Sequence, residues 1–356
     1  MFSRTTLGRT QQMKIASAVF IAGSSRSGTT LLSRAVGLNS QVHSTPELHF
    51  VGELWDPSSA RPVASASEIA NGLERAGEGR YLRDSDPART RRRGAALLVA
   101  SGGESARPAE ILLRYLDQVA DDNEVAVVCE QTPANVYFIA PLLEALPQAL
   151  VLGIVRDPRD VLLSQKRWWR QVFQGGKFPY RHIPWRVTLR RWADYNPIVM
   201  ALMWKRAAEA LVKARGHERV KVVVYEELVA DPHVSLRGIA DFIGVPFETQ
   251  MADVPRRNSS HRADAGTGLG MDASSAGRWT AGLSAGEVWL CERTVFPTAD
   301  EFGYTRSSTR FPAGSVVWSI LKTAPKLLVS LILRLGSPRQ AWRTLRARTG
   351  HTASAP

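Results

Sequence analysis

The sequence predicts an α/β fold, a P-loop-like doubly wound parallel β-sheet flanked by helices. Short aliphatic runs alternate with stretches of helical character along most of the chain. These runs are continuously apolar and rich in β-branched residues, which is typical of strands buried on both faces of a parallel sheet. The composition, with 44% hydrophobic and 22% charged residues, is that of a globular domain. In such sheets, functional residues are expected at the carboxyl ends of the strands.

Four apolar runs are predicted to be strands, and a helix is predicted after each of them. The first strand covers 19–22, and its helix covers 29–38. The later strands are 125–128, 150–155 and 220–224, and their helices are 135–146, a helix from Pro158 onward, and 232–242. This alternation is the βαβ pattern, which produces a parallel sheet with helices on its faces.

Other segments depart from this alternation. Residues 1–16 are predicted to be an N-terminal extension. Residues 57–108 are rich in Ala, Gly, Ser and Arg and lack a strong strand signal, so we predict an inserted helical or loop segment that resembles a lid. Residues 253–277 are predicted to form a long loop. Residues 314–335 are predicted to be an apolar helix, broken near Pro325.

The positive charge of the chain is concentrated in a basic C-terminal helical tail, residues 306–356. The formal net charge is +13, and no acidic residue follows Glu301. Clusters of this kind attract nucleic acid or anionic lipid. The basic residues of the tail are Arg306, Arg310, Lys322, Lys326, Arg334, Arg339, Arg343, Arg346 and Arg348.

The cysteine content and the N-terminus bear on metals and on the cellular compartment. Cys129 and Cys291 are the only cysteines, and their distance in sequence provides neither a disulfide framework nor a zinc-ligand spacing. The apolar run near the N-terminus is too short for a secretory signal. The sequence therefore predicts a cytoplasmic protein without a structural metal.

The first predicted strand leads into a glycine-containing loop and then a helix. A strand, a tight loop and a helix in this order present backbone N–H groups and the positive end of the helix dipole to an anion. Gly28 allows close backbone approach, and Arg26 adds charge-assisted donors. An ordinary polar turn before a helix is the alternative. The loop reads Gly23-Ser24-Ser25-Arg26-Ser27-Gly28-Thr29-Thr30.

The loop differs from the P-loop of nucleoside-triphosphate enzymes at one position. Gly23 and Gly28 have the P-loop spacing, but Thr29 stands where that motif has lysine. A triphosphate enzyme needs the lysine on the β- and γ-phosphates. The substitution therefore argues against a small-metabolite kinase, which is kept as an alternative function.

A second candidate anion site follows the strand at 150–155. Arg156 stands at the predicted strand end, and Ser164 lies about two helical turns further on. An Arg and a Ser that converge there are able to hold a second phosphate. The alternative is a surface Arg paired with Asp157 or Asp160.

Together these motifs resemble those of the sulfotransferases that use 3'-phosphoadenosine 5'-phosphosulfate (PAPS), in the bacterial, tyrosylprotein-type and carbohydrate-type branch. The resemblance implies a catalytic domain at 17–305, a transfer reaction that needs no metal, and PAPS as the sulfuryl donor. It assigns the 5'-phosphosulfate to Arg26, Ser27, Gly28, Thr29 and Thr30. It assigns the 3'-phosphate to Arg156 and Ser164, and makes Tyr225 and Arg278 candidate donor contacts. Further similar segments lie at 222–232, 239–247, 277–279 and 301–304.

The resemblance also points to a general base. Glu47 lies as far after Arg26 as the catalytic glutamate of several family members does, so it is predicted to take the acceptor proton. Arg26 is predicted to stabilise charge on the leaving group. Ser44 and Glu47 also fit a helix capping box, which is the structural alternative for Glu47. His43 and His49 flank Glu47 and are alternative bases.

One position departs from the family pattern. Gln131 stands where the family has a lysine that steadies the sulfuryl or leaving group. Glutamine donates a hydrogen bond but brings no charge. The substitution puts the rate of reaction in doubt more than its class.

The acceptor is predicted to be a hydroxyl of a small molecule, a carbohydrate or a lipid, and no nucleic-acid partner is expected. Trp168, Trp169, Trp185 and Trp192 either line an acceptor cleft or pack in the core. Residues 314–348 either contact a membrane surface or dock on the domain. A non-catalytic protein that binds anionic lipid or nucleic acid and retains the donor fold is the remaining alternative.

Overall fold

The fold is taken from a computed structural model, which describes residues 15–57, 63–77, 86–168, 189–190, 192–255, 268–307 and 311–335. The strands are β1 (Ser17–Gly23), β2 (Val42–Ser44), β3 (Val127–Gln131), β4 (Ala149–Val155) and β5 (Val220–Val224). The helices are α1 (Thr29–Val36), α2 (Phe50–Glu53), α3 (Ala66–Gly77), α4 (Pro87–Ala100), α5 (Pro108–Asp122), α6 (Ile139–Ala145), α7 (Pro158–Trp168), α8 (Pro197–Ala214), α9 (Tyr225–Ala230), α10 (Pro232–Ile243), α11 (Trp279–Gly282), α12 (Ala285–Val295) and α13 (Ala313–Leu335).

The five strands form one parallel sheet in the order β2-β3-β1-β4-β5. The central strand β1 is apolar on both faces, because helices cover both sides of the sheet. Phe20 packs into one core and Val19 and Ile21 pack into the other, and all three side chains are buried. The predicted doubly wound α/β fold is confirmed.

The predicted strands and helices occur in the predicted order, with two differences in detail. The strand expected at 125–128 is β3, which starts two residues later and reaches Gln131. The helix expected at 135–146 begins as a 3₁₀ helix over Pro133–Phe138 and continues as α6. Strand β2 was not predicted, since three residues are too few to produce a periodic pattern.

The predicted insertion at 57–108 is helical where the structure describes it, and it contains α3 and α4. Its two helices are tied together and to α5 by Arg93. The Arg93 guanidinium lies 2.9 Å from the buried carboxylate of Glu74 and 2.8 Å from Asp122. The lid role of this segment stays a prediction.

Helix α13 runs without interruption from Ala313 to Leu335, so the predicted break near Pro325 is wrong. Proline lacks the N–H that would bond to the carbonyl one turn earlier, so the helix continues here without that hydrogen bond. The inner face of the helix is buried against the domain at Val316, Ser319 and Thr323, and this packing supports the helix around the proline. Among the described helices, none combines the length and apolarity needed to cross a membrane.

Candidate active site

The carboxyl ends of all five strands meet at one edge of the sheet, and each strand delivers at least one candidate residue there. The phosphate loop follows β1 at the centre. Glu47 follows β2 and Gln131 ends β3 on one flank, while Arg156 follows β4 and Tyr225 follows β5 on the other. The topology thus places a carboxylate and an arginine on opposite sides of the loop.

The phosphate loop has an unusual backbone that suits anion binding. Arg26 and Gly28 both adopt the left-handed conformation, with φ of 76° and 104°. A Cβ on Gly28 would lie 2.5 Å from Cδ2 of Tyr225, so both the backbone conformation and the close approach of this ring require glycine. Helix α1 starts immediately afterwards at Thr29, which leaves its first N–H groups at the loop.

Arg26 connects the two candidate anion sites. Its Nε donates a hydrogen bond of 3.1 Å to the hydroxyl of Ser164, although the two residues lie far apart in sequence. Ser164 is buried on α7, the helix that follows Arg156. The structure therefore brings the loop and the second site together, as the sequence motifs required.

Arg156 is buried rather than at the surface. It is 8% exposed, and its guanidinium lies 4.2 Å from the centre of the Tyr225 ring. One of its guanidinium nitrogens, Nη2, donates a hydrogen bond of 2.6 Å to the carbonyl of Ser275. The Trp204 indole N–H donates a hydrogen bond of 2.9 Å to the backbone carbonyl of Arg156 and thereby anchors the end of β4. Sequence reasoning did not identify Trp204 as a support.

The two aspartates proposed as surface partners of Arg156 make their short hydrogen bonds and ion pairs with other groups. Asp157 pairs with Arg159 at 2.7 Å. Asp160 accepts backbone hydrogen bonds of 2.7 Å from Gly277 and 2.8 Å from Trp279. The surface location in this alternative is wrong, because Arg156 is buried. Burial raises the pKa of the Asp160 carboxyl and the charge of Arg156 opposes that shift, so a pairing of Arg156 with Asp160 stays a prediction.

Tyr225 and Arg278 occupy different positions relative to the loop. The Tyr225 hydroxyl shares a hydrogen bond of 2.6 Å with the Ser275 hydroxyl, which joins the ring to the segment that also contacts Arg156. Arg278 makes its hydrogen bonds within its own loop, to the Ser274 carbonyl at 2.5 Å and to the Asp272 carboxylate at 3.1 Å. Its role as a donor contact stays a prediction.

Glu47 lies on the opposite flank, within reach of the loop. The Gln131 amide donates a hydrogen bond of 3.2 Å to one Glu47 oxygen and another of 3.3 Å to the hydroxyl of Thr29. The other Glu47 oxygen lies 2.9 Å from His49 Nε2. The Glu47 side chain is 42% exposed, so an incoming acceptor is able to reach it.

The capping-box alternative for Glu47 is wrong. Ser44 ends β2, and its hydroxyl shares a hydrogen bond of 2.5 Å with that of Ser33. No helix starts between Ser44 and Phe50. Of the two alternative bases, His49 contacts Glu47. His43 lies on β2, where burial lowers its pKa.

A buried carboxylate, missed in the sequence, fixes the segment that carries Glu47. Glu130 accepts hydrogen bonds of 3.1 Å from the Leu48 amide and 2.6 Å from the Asn135 side chain, and another from the Thr132 hydroxyl. Burial raises the pKa of Glu130. The Thr132 hydroxyl in turn accepts a hydrogen bond of 3.1 Å from the His49 amide, so the end of β3 holds the two residues that follow Glu47.

Among the tryptophans proposed for an acceptor cleft, Trp168 and Trp192 belong to the described residues. Trp169 and Trp185 lie outside them. The Trp192 ring is contacted by the Lys326 ammonium of α13, 5.0 Å from the ring centre. This contact connects Trp192 to the C-terminal helix.

Comparisons with known proteins bear on the family and the fold of this chain. A sequence model of the sulfotransferase family matches residues 18–249. The sulfotransferase domain of an olefin synthase from Synechococcus PCC 7002 superposes with a TM-score of 0.51 at 21% identity, covering 84% of this chain and 99% of that domain. At this identity, the likeness establishes the fold alone.

Two further solved structures show weaker similarity. The sulfotransferase domain of the curacin biosynthetic pathway has a TM-score of 0.47 at 18% identity, with 82% and 99% of the two chains covered. A mouse sulfotransferase in complex with PAP has a TM-score of 0.41 at 14% identity, with 82% and 89% covered. No curated protein matches the chain.

Proposed function

This chain belongs to the sulfotransferase family, and we propose that it transfers a sulfuryl group from PAPS to a hydroxyl of its acceptor. The acceptor hydroxyl is carried by a small molecule, a carbohydrate or a lipid. The observation that supports the proposal most directly is the contact between Arg26 and Ser164. This contact joins the phosphate loop to α7, the helix that follows Arg156. Each of the two sites is suited to one phosphate group, and the donor carries phosphate groups at two different positions.

The residues of the loop and of the second site fit such a donor. Within the described ranges, the Ser27 hydroxyl and Arg156 Nε are buried polar atoms without a hydrogen-bond partner. Buried polar atoms are rarely left in this state, because desolvation without a hydrogen bond costs about 1–3 kcal/mol. Both atoms are donors. Phosphate oxygens are acceptors that would satisfy them.

The reaction we propose is an in-line displacement at sulfur. The acceptor oxygen forms a bond to sulfur while the bond from sulfur to the phosphate oxygen breaks, and that oxygen leaves with the electron pair as part of 3',5'-bisphosphoadenosine (PAP). Glu47 receives the acceptor proton. Arg26 and the first N–H groups of α1 stabilise the charge that grows on the departing phosphate.

Gln131 is proposed to position Glu47 relative to the transferred group. Its amide contacts both Glu47 and Thr29, so it connects the base with the phosphate loop. Because the amide is neutral, Arg26 supplies the positive charge in this part of the site. Arg278 is proposed as a further contact to the nucleotide from the loop above Arg156.

Thermal shift with PAP, with ATP–Mg and with an oligonucleotide tests the donor assignment. A ligand that binds the folded state raises its stability, by about 2.7 kcal/mol at one hundred times its dissociation constant. We expect PAP to raise the melting temperature more than either of the others. Stabilisation by ATP–Mg without an effect of PAP would support the kinase alternative, and stabilisation by the oligonucleotide alone would support the non-catalytic one.

Glu47→Gln tests the base, with an acceptor identified by screening hydroxyl compounds against labelled PAPS. We expect kcat to fall about 100- to 10,000-fold, because general base catalysis contributes factors of this size. PAP affinity should stay within about twofold, since Glu47 contacts no donor-binding arginine. Glu53→Gln is the matched control, because this exposed carboxylate also faces His49, at 3.7 Å. Full turnover by Glu47→Gln would reject Glu47 as the base.

A further inference from the structure

The C-terminal helix α13 buries its polar face against the domain. The Ser315 hydroxyl accepts a hydrogen bond of 2.8 Å from the Gly286 amide at the start of α12. The Ser330 hydroxyl donates a hydrogen bond of 2.6 Å to the Asp194 carboxylate. Ser319 and Thr323, between them on the same side, are also buried. Among the described side chains, hydroxyl groups therefore lie on the buried side of this helix, together with Val316.

The outer face of the same helix is apolar. Val317, Trp318, Ile320 and Leu321 are between 48% and 59% exposed, and Phe311 just before the helix is 60% exposed. A helix that only covers a globular domain has the opposite arrangement, with its apolar stripe inward and its polar side in water. Exposed apolar residues that are contiguous mark an interaction surface.

Lys322 brings a positive charge to this apolar face. Lys322 extends over the ring of Trp318, with its ammonium 4.7 Å from the ring centre. The chain after Glu301 carries nine basic residues and no acidic one. An apolar face with Trp and Lys side by side, in a segment whose sequence is basic, matches the interface of an anionic bilayer, where aromatic rings lie at headgroup level and lysines reach the phosphates.

We propose that this outer face, Phe311 to Lys322, binds the surface of an anionic lipid bilayer and attaches the enzyme to it. Apolar side chains enter the boundary between headgroups and acyl chains, and the basic residues contact lipid phosphates. Lipid is favoured over a second copy of this chain, because a second copy would bring the same positive charge to the contact. Each basic residue near the negatively charged leaflet strengthens binding about fivefold.

Sedimentation of the full-length protein with vesicles tests the proposal. The vesicles contain phosphatidylcholine alone or phosphatidylcholine with phosphatidylglycerol. We expect binding to the anionic vesicles that weakens as salt is raised. The double variant Trp318→Ser/Leu321→Ser should lower the partition coefficient at least about tenfold, because two large apolar side chains no longer enter the interface. The variant should fold, since both side chains are exposed.

The matched control is Val99→Ser/Val234→Ser, which removes two apolar side chains that are 78% and 67% exposed on other helices. Its vesicle binding should equal that of the unmodified chain. Equal loss in both double variants, or absence of sedimentation with anionic vesicles, overturns the proposal. So does a dimer in light scattering that dissociates in Trp318→Ser/Leu321→Ser, because the face would then be an interface between copies.

Discussion

The two flanks of the phosphate loop are built in contrasting ways. On the side of β4 and β5, Arg156 is 8% exposed and is enclosed by an aromatic ring, a backbone carbonyl and the segment around Ser275. On the side of β2 and β3, Glu47 is 42% exposed and is held by one amide and one imidazole. One flank buries its charged residue, whereas the other leaves its charged residue open to solvent.

This contrast corresponds to different chemical tasks. Electrostatic attraction is stronger where water is excluded, so a buried arginine is suited to hold a phosphate in a fixed position. A carboxylate that takes a proton from an incoming hydroxyl must instead be reachable by that hydroxyl. In the proposed reaction, donor binding and acceptor activation are therefore assigned to opposite halves of one sheet edge.

Arg156→Ala is expected to have the largest effect on the buried flank. The loss of charge-assisted hydrogen bonds of about 1.5–3 kcal/mol should weaken PAP binding roughly 10- to 100-fold. Calorimetric titration with PAP measures the change. Arg215→Ala is the control, because this exposed arginine pairs with Glu301 through a surface ion pair. An unchanged affinity in Arg156→Ala would show that the buried flank does not bind the donor.

Gln131→Lys is expected to have an intermediate effect on the open flank. It would place an ammonium between Thr29 and Glu47, where the neutral amide now donates to both. The added charge should raise kcat up to about tenfold, because it stabilises the transferred group electrostatically. Gln131→Met, which removes both hydrogen bonds, should lower kcat about fivefold. Steady-state kinetics separates these results, and equal losses in both variants would argue against a need for charge here.

Glu130→Gln is expected to have the smallest effect, visible in the pH dependence of stability. Burial raises the pKa of Glu130 in the folded chain. A carboxyl of this kind stabilises the fold below its unfolded pKa, and this contribution is lost as pH rises through the folded pKa. The unmodified chain should therefore lose stability relative to Glu130→Gln as the pH rises above about 4.3, the ordinary pKa of glutamate, by a few degrees in Tm.

Melting curves of both proteins across this pH range provide the measurement. A difference in Tm that is independent of pH would mean that Glu130 has no raised pKa. The ordering of the Glu47 segment would then depend on its hydrogen bonds alone. Either result sharpens the comparison between the two flanks, because it shows how strongly Glu130 stabilises the segment that carries Glu47.

The sequence was sufficient for the sheet and for the residues that sit in motifs. Continuous apolar runs located β1, β4 and β5, since strands buried on both faces have a strong local pattern. The loop at Arg26 and the pair Arg156 and Ser164 were found because each depends on residues close in sequence. The structure then placed Arg26 against Ser164.

The residues that the sequence did not reveal act over long distances or against local preference. Glu130 and Trp204 support the site through contacts with remote segments. Glu130 stands beside Gln131 in a segment that resembles the family's, but its supporting role depends on partners that the segment itself does not contain. Pro325 predicted a break that packing of the inner face of α13 overrides. The direction of that apolar face depends on where the helix docks, which its own sequence does not specify.

The central position of β1 has a consequence for the way the chain folds. Ser17 of β1 aligns with Val127, and Ala18 aligns with Ala149, so neither neighbour exists until more than a hundred further residues have been synthesised. Such non-local pairing slows folding and leaves strand edges unprotected in the meantime. We expect the strand that carries the phosphate loop to be the earliest of the sheet to leave the ribosome and to depend on chaperones until β3 and β4 arrive.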